Sequence, residues 1–248
     1  MLTIPDALAA KRALGPEWAS WLDGLGRLAS EMMDAWELEP DGDPLHGETA
    51  LVLPVRDAVG ACEVVGGLYR RLHVPAPPTV PELAPHVARW LSALDAVGRD
   101  VPAPPRFVQQ ALRAGGALLA DAPRRVLHGD LHPGNVLAGR REPWLAIDPK
   151  GFAGDPCYEP GPLLWNSWDA ALATGDPGGA VRERFYAVVD AAGLDERRCR
   201  DWVVVRAMIA VSWEVEDAAR AARPLDASQR DRITRAVTVA KAMQAVAP

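Results

Sequence analysis

Lysine is scarce in this sequence. Only Lys11, Lys150 and Lys241 stand among the 27 basic residues, and the others are arginine. Acidic residues number 33, so the formal net charge is -6 at pH 7. Nucleic acids and anionic membranes attract positively charged surfaces, so this balance argues against either partner. It is compatible with a cationic small-molecule substrate.

Cysteine and long hydrophobic runs are also lacking. Cys62, Cys157 and Cys199 are far apart and form no C-x-x-C pair, so neither a disulfide framework nor a cysteine zinc site is predicted. No apolar run approaches the roughly 18 to 20 residues that span a bilayer. The first six residues lack the basic and apolar regions of a signal peptide. We therefore expect a cytoplasmic protein.

Apolar residues recur at the three- and four-residue steps typical of helices over most of the chain. The predicted helices are Pro16 to Leu38, Ala61 to His73, Val80 to Val97, Pro104 to Ala120, Gly179 to Ala192, Glu196 to Ala222 and Ala227 to Val246. Short apolar segments predict strands at Thr49 to Val55, Arg125 to His128 and Trp144 to Asp148. The proline-rich segment from Val74 to Pro81 is the predicted boundary between a smaller and a larger portion.

One motif carries chemistry. Residues 128 to 135 fit the pattern H-G-D-x-H-x-x-N, with Asp130 and Asn135 five positions apart and Asp148 thirteen positions further on. Phosphoryl transfer needs a carboxylate that accepts or orients the proton of the attacking hydroxyl. It also needs an amide and a second carboxylate that hold Mg²⁺ against the nucleotide phosphates. Kinases carry these three groups in the same order, so the motif favours a kinase.

Two other interpretations of the motif remain open. His128, Asp130 and His132 alternate like the ligands of a metal hydrolase, but no second histidine or cysteine cluster accompanies them. Alternatively, the two histidines only brace a loop and no chemistry occurs. Bracing is also the preferred role of His128 and His132 if the protein is a kinase.

Three segments together resemble the aminoglycoside phosphotransferases: Val126 to Asn135, Trp144 to Gly151 and Gly154 to Pro160. Within that family the chain looks most like the streptomycin 6-kinase and hydroxyurea phosphotransferase branch. The form Ile-Asp-Pro-Lys-Gly at residues 147 to 151, in place of Asp-Phe-Gly, points to that branch, as does Tyr-Glu-Pro at residues 158 to 160. Weaker matches are Gly47 to Arg56, Gly67 to His73 and Ser212 to Asp217.

The resemblance implies an α+β, protein-kinase-like fold with a reduced N-terminal lobe and a mostly helical C-terminal lobe. Residues 1–73 would form the reduced lobe and a connecting helix, and residues 74–248 the catalytic and substrate-binding lobe. The implied activity is ATP-dependent phosphorylation of a hydroxyl on an aminoglycoside-like small molecule, and therefore antibiotic resistance. ATP and Mg²⁺ are the implied cofactors. Asp130 would be the catalytic base, and Asn135 and Asp148 the Mg²⁺ ligands.

The resemblance also suggests roles for acidic residues outside the motif. Asp155 would brace the loop around the metal site, and Glu159 would face a cationic substrate. Glu214, Glu216 and Asp217 are weaker substrate-binding candidates. The acceptor and the oligomeric state are not predicted.

The chain departs from the family in its N-terminal portion. A kinase small lobe continues after its first hairpin with a strand that carries the ATP lysine, but here the helix from Ala61 follows Val55-Arg56 almost at once. None of the three lysines stands at the expected position, and Lys150 lies beside Asp148, the implied metal ligand. We therefore expect a deletion in the small lobe and an impaired kinase. The alternative is a degenerate, non-catalytic homologue that acts as a binding protein.

Overall fold

The computed structural model describes residues 4–35, 39–40, 43–46, 51–52, 55–56, 60–138 and 142–246. These residues form two compact units, one within Met1–Gly60 and the other within Ala61–Pro248. The predicted division after residue 73 stays a prediction. No helix in the described part of the chain is long and apolar enough to cross a membrane.

The first unit is built on helices α1 (Asp6–Ala9) and α2 (Pro16–Ala35). Leu8, Leu22 and Leu25 are buried together, because the leucines at 22 and 25 lie on one face of α2. The predicted helix continued to Leu38, but residues 36–38 lie outside the described residues.

Four two-residue strands follow in the first unit: β1 (Glu39–Pro40), β2 (Leu45–His46), β3 (Leu51–Val52) and β4 (Val55–Arg56). β1 pairs with β4 and β2 pairs with β3, and both pairs are antiparallel. The strand predicted over Thr49 to Val55 therefore includes β3 and the first residue of β4. Its residues 49–50 and 53–54 lie outside the described residues.

The second unit is mainly helical. Its elements, in chain order, are α3 (Gly60–Leu72), α4 (Ala84–Val97), α5 (Pro105–Ala120), β5 (Arg125–Leu127), β6 (Val136–Ala138), β7 (Trp144–Ala146), β8 (Phe152–Gly154), α6 (Gly161–Trp165), α7 (Trp168–Ala173), α8 (Pro177–Ala192), α9 (Glu196–Arg220) and α10 (Ala227–Ala242). The sequence periodicity located the long helices to within a few residues, but it missed the short strands β6 and β8.

Helix α9 is the centre of the larger unit. Its middle section, from Trp202 to Ile209, is buried on nearly every side, because apolar residues occupy most positions around the helix rather than one stripe. Helices α4, α5 and α10 pack against it. Asp195 begins α9 as its N-cap and accepts a hydrogen bond from the Arg198 N–H, which satisfies a backbone donor that the first turn leaves unpaired.

Helix α4 begins four residues later than its apolar pattern predicts. Glu82 instead forms an isolated parallel bridge with Ala153 of β8. The Leu83 N–H donates to the Ala153 carbonyl, and the Ala153 N–H donates to the Pro81 carbonyl. Pro85, in the first turn of α4, also suits a helix start. The tertiary pairing thus overrides the local helical pattern.

Two antiparallel strand pairs bring distant loops together. β5 pairs with β8, and β6 pairs with β7. The loop of residues 128–135 joins β5 to β6, and the loop of residues 147–151 joins β7 to β8. Each loop therefore connects one strand pair to the other, and the two loops lie side by side. We call them the catalytic loop and the metal loop.

Candidate active site

The backbones of the catalytic and metal loops are hydrogen-bonded to each other. The Lys150 N–H donates to the His128 carbonyl at 2.7 Å, and the Ile147 N–H donates to the Asn135 carbonyl at 2.9 Å. These bonds hold the motif residues from 128 to 135 against Asp148, although the chain separates them.

His128 joins the same two loops through its side chain. Its Nδ1 accepts a hydrogen bond from the Asp130 N–H at 3.3 Å, so the ring proton belongs on Nε2. Nε2 lies 2.9 Å from the Ile147 carbonyl, to which it donates. The ring is buried, and it fixes the backbone immediately before Asp130.

Asp130 and Asp148 both lie close to one ammonium group. Lys150 Nζ donates to Asp148 Oδ2 at 3.0 Å and lies 3.6 Å from Asp130 Oδ2. The hydrogen bond with Asp148 raises the pKa of the Lys150 ammonium, so the group stays charged at neutral pH. The Asp130 carboxylate is 35% exposed and the Asp148 carboxylate 67% exposed, so both remain open to a ligand.

The backbone of Asp148 is in the left-handed region, with φ at 56°. An aspartate tolerates this region better than most residues, but it still costs free energy. The hydrogen bonds of Ile147 and Lys150 on either side hold this conformation.

Asn135 completes a donor set that suits Mg²⁺. Its Nδ2 donates to the Asp130 carbonyl at 2.8 Å, so Oδ1 is the atom that can coordinate a cation. Mg²⁺ prefers oxygen ligands and is usually held by one or two carboxylates together with water and substrate phosphates. The described residues contain no group of three histidine, cysteine or acidic side chains placed to hold a metal ion by themselves. The Asn135 amide oxygen and the Asp148 carboxylate are nevertheless of the ligand types that Mg²⁺ prefers.

His132 and Asp155 lie at the ends of short turns. His132 caps the 3₁₀ turn Pro133–Asn135, where its Nδ1 accepts from the Gly134 N–H, and burial lowers its pKa. Asp155 is buried, and its carboxylate accepts hydrogen bonds from the Cys157 N–H, Arg198 and the Trp202 indole.

Glu159 is placed differently from the expectation that it faces a cationic substrate. Its side chain is fully buried beneath the catalytic loop. Oε1 accepts from the His128 N–H at 2.6 Å and Oε2 accepts from the Gly129 N–H at 3.0 Å. Both carboxylate oxygens therefore hold the loop backbone, and that expectation is wrong for this structure.

Arg206 is a residue of the site that the sequence analysis missed. It is buried in α9, and it donates to the Gly129 carbonyl at 3.0 Å and to the Tyr158 carbonyl at 2.9 Å. Its guanidinium also lies 3.9 Å from the centre of the Tyr158 ring. A single arginine inside the apolar run of α9 was the sequence signal for such a role, because a buried charge needs partners.

The three acidic candidates on α9 have different surroundings. Glu214 forms a two-bond ion pair with Arg232, at 2.6 and 2.8 Å. Asp217 pairs with Arg220 at the surface. Glu216 has a buried carboxylate oxygen without a hydrogen-bond partner among the described residues. It lies one helical turn from Trp213, whose ring contacts that of Trp90.

Comparison with known proteins identifies the chain as a phosphotransferase of the antibiotic kinase type. It belongs to the family described as aminoglycoside/hydroxyurea antibiotic resistance kinase, which matches residues 44–218. The predicted membership of the streptomycin 6-kinase and hydroxyurea phosphotransferase branch is thereby confirmed.

Two curated relatives and one solved structure illustrate the similarity. The chain is 31% identical to a streptomycin 6-kinase of Streptomyces glaucescens, over 98% of each protein. It is 33% identical to a hydroxyurea phosphotransferase of Kitasatospora aureofaciens, over 82% of this chain and 77% of the relative. Choline kinase from Streptococcus pneumoniae superposes with a TM-score of 0.50 at 13% identity, over 88% of this chain and 79% of that one. This likeness confirms the α+β, protein-kinase-like fold.

The alignment with the Streptomyces glaucescens enzyme leaves many of its positions without a counterpart in this chain. The alignment extends over 313 positions although this chain has 248 residues, so at least 65 positions (313 minus 248) face no residue here. The chain is thus shorter than its relative inside the aligned region. The placement of the missing segment after Val55-Arg56 stays a prediction.

Proposed function

We propose that this protein transfers the γ-phosphoryl group of ATP to a hydroxyl of a cationic, aminoglycoside-like small molecule. The observation that carries the proposal is the convergence of Asp130, Asn135 and Asp148 on two adjoining loops. Relatives named for streptomycin and hydroxyurea support a small polar acceptor. We place the reaction in the cytoplasm, where ATP is available and the three cysteines, none of which forms a disulfide, remain reduced.

In the proposed reaction the acceptor oxygen attacks the γ-phosphorus, and the bond from that phosphorus to the β-phosphate oxygen breaks. Asp130 accepts the proton of the acceptor hydroxyl, and ADP leaves. Asn135 and Asp148 would hold Mg²⁺, which would supply neutralisation of the charge on the phosphates. His128, Glu159 and Arg206 do not touch the reactants; they fix the loop that carries Asp130.

Two features support a cationic acceptor. Glu216 has a buried carboxylate oxygen without a hydrogen-bond partner among the described residues, and on the same face of α9 Trp213 is 38% exposed. Carboxylates and aromatic faces both attract guanidinium and ammonium groups. A connected series of rings (Trp213, Trp90, His86 and Phe152) leads from there to the catalytic loop.

The test is ATP consumption by the purified protein with Mg²⁺ and streptomycin, and in parallel with hydroxyurea, beside an Asp130→Asn variant. We expect acceptor-dependent turnover that falls by about 10²- to 10⁴-fold in the variant, because the proton acceptor is lost. The variant should retain ATP·Mg²⁺ binding, since Asn135 and Asp148 remain. Turnover that is equal in both proteins would contradict the role of Asp130.

The alignment gap favours a second candidate function, a degenerate homologue that binds small molecules without phosphorylating them. A folded wild-type protein that neither binds ATP·Mg²⁺ nor consumes ATP with either acceptor would support that candidate. It would overturn the kinase proposal.

A further inference from the structure

The Lys150 ammonium is in contact with both carboxylates that the proposed chemistry uses in different ways. It lies 3.0 Å from Asp148, the proposed metal ligand, and 3.6 Å from Asp130, the proposed base. Two carboxylates this close to one cation repel each other less than they would without it.

The backbone and Cβ of Lys150 are held by neighbouring residues, whereas its ammonium group remains accessible. Its backbone N–H is bonded to the His128 carbonyl, and a Cβ placed on Gly129 would come within 3.2 Å of the Lys150 Cβ. Gly129 itself has φ at 84°, which favours glycine at this close approach. The Lys150 side chain is nevertheless 46% exposed. The ammonium can therefore meet a ligand that enters the site without a rearrangement of the backbone.

We propose that Lys150 is a catalytic residue of this site that binds the transferring γ-phosphoryl group. This inference rests on the proposed function. A phosphoryl group that leaves phosphates held beside Asp148 and reaches a hydroxyl beside Asp130 must cross the space between the two carboxylates. Negative charge on its oxygens would be repelled there, and the Lys150 ammonium offsets that repulsion. The step transfers no proton to or from Lys150, which remains a cation throughout.

The inference changes the expectation drawn from the sequence that none of the three lysines fills the place of the ATP lysine. Lys150 does not occupy that strand position, but it brings a cation to the phosphates from the metal loop. The larger unit, within Ala61–Pro248, then contains the base, both Mg²⁺ ligands and a phosphate-binding cation.

The test compares the affinities of the full-length wild type, Lys150→Met and Lys150→Arg for ATP·Mg²⁺ and ADP·Mg²⁺ by titration calorimetry. ADP lacks the γ-phosphoryl group. We expect Lys150→Met to bind ATP·Mg²⁺ about 10- to 100-fold more weakly, the loss expected for one charge-assisted hydrogen bond, and to bind ADP·Mg²⁺ with nearly unchanged affinity. Lys150→Arg, which keeps the charge, should retain part of the preference for ATP. Lys241→Met, which removes an exposed lysine of α10, is the matched control and should behave as the wild type.

Each other outcome has a distinct meaning. Equal weakening of ATP and ADP binding in Lys150→Met, or tighter binding of both, would overturn the inference, because Lys150 would then only bridge the two carboxylates. The proposed function would survive that result if the wild type turns over. Absence of ATP·Mg²⁺ binding and of turnover in the wild type would overturn the proposed function, and this inference with it.

Discussion

At the residue scale, the active site depends on a carboxylate that does not take part in the reaction. Glu159 fills the space beneath the catalytic loop, and each of its oxygens accepts one backbone N–H. The hydroxyl of Tyr69 donates in turn to the Glu159 carbonyl at 3.1 Å. Burial, together with the nearby charge of Glu159, raises the pKa of Tyr69, so this hydroxyl keeps its proton and remains a donor.

Replacement of Glu159 by glutamine should destabilise the protein. A glutamine amide offers one acceptor oxygen and presents an NH₂ group to the second backbone N–H, so one buried donor is left unpaired. The expected cost is about 1–3 kcal/mol in the free energy of unfolding, measured by chemical denaturation. Glu183→Gln, on the exposed side of α8, makes the same chemical change and should cost little. Equal stabilities of the two variants would show that the Glu159 hydrogen bonds are not important.

Single-residue contacts of this kind could not be predicted from the sequence. The motif predicts roles for Asp130, Asn135 and Asp148 because their spacing is local and kinases share it. Glu159 is 31 positions from His128, and Arg206 is 77 positions from Gly129, and no sequence pattern relates such distant pairs. The substrate role suggested for Glu159 was wrong because sequence alone does not indicate on which side of a loop a carboxylate lies.

At the scale of elements, side chains on one face of helix α9 support the loops of the candidate site. Arg198, Trp202 and Arg206 stand four residues apart on one face of the helix. Arg198 and Trp202 bind Asp155, and Arg206 binds the carbonyl groups of Gly129 and Tyr158. A single rigid element thus positions both the catalytic loop and the turn that follows β8.

A substitution on this face should affect catalysis more than nucleotide affinity. Arg206→Lys keeps the charge but replaces a planar group that reaches two carbonyl groups with one nitrogen that cannot reproduce that geometry. We expect kcat to fall about 10- to 100-fold, because a small displacement of the catalytic loop would misplace Asp130 relative to the acceptor. The KM for ATP should change little. Arg220→Lys, near the exposed end of the same helix, is the control. If Arg206→Lys has a lower melting temperature but an unchanged kcat, then Arg206 contributes only to stability.

Most long elements could be predicted because their pattern is local. Helix α5 was expected over Pro104 to Ala120 and spans Pro105–Ala120, and α9 was expected over Glu196 to Ala222 and spans Glu196–Arg220. The strand β8 was missed because its sequence, Phe-Ala-Gly, contains only one large apolar residue, whereas the equally short β5 and β7 lie within apolar runs. It forms only because β5 and residues 81–83 pair with it.

At the scale of the whole molecule, the two compact units carry different shares of the proposed reaction. The proposed catalytic side chains lie in the larger unit, whereas the predicted deletion falls in the smaller portion. Loss of the expected ATP lysine should weaken ATP and ADP binding alike, because that lysine and the adenine pocket hold the nucleotide as a whole.

We therefore expect the KM for ATP to be about 10- to 100-fold higher than that of the Streptomyces glaucescens streptomycin 6-kinase in the same assay, the cost of about one charge-assisted contact. The comparison uses one acceptor, streptomycin, at saturation for both enzymes. A KM for ATP equal to that of the relative would show that the shorter chain binds the nucleotide without loss.

The three cysteines are all buried and none is in a disulfide, which has a practical consequence. Burial also raises the pKa of the Cys199 thiol, which keeps it in the unreactive protonated form. A thiol-reactive dye should therefore leave the folded native protein almost unlabelled. A cysteine introduced at any exposed position would then be a unique attachment point for a fluorophore or spin label, with no need to remove the natural thiols. In the unsubstituted protein, the slow appearance of label would measure how often the core opens.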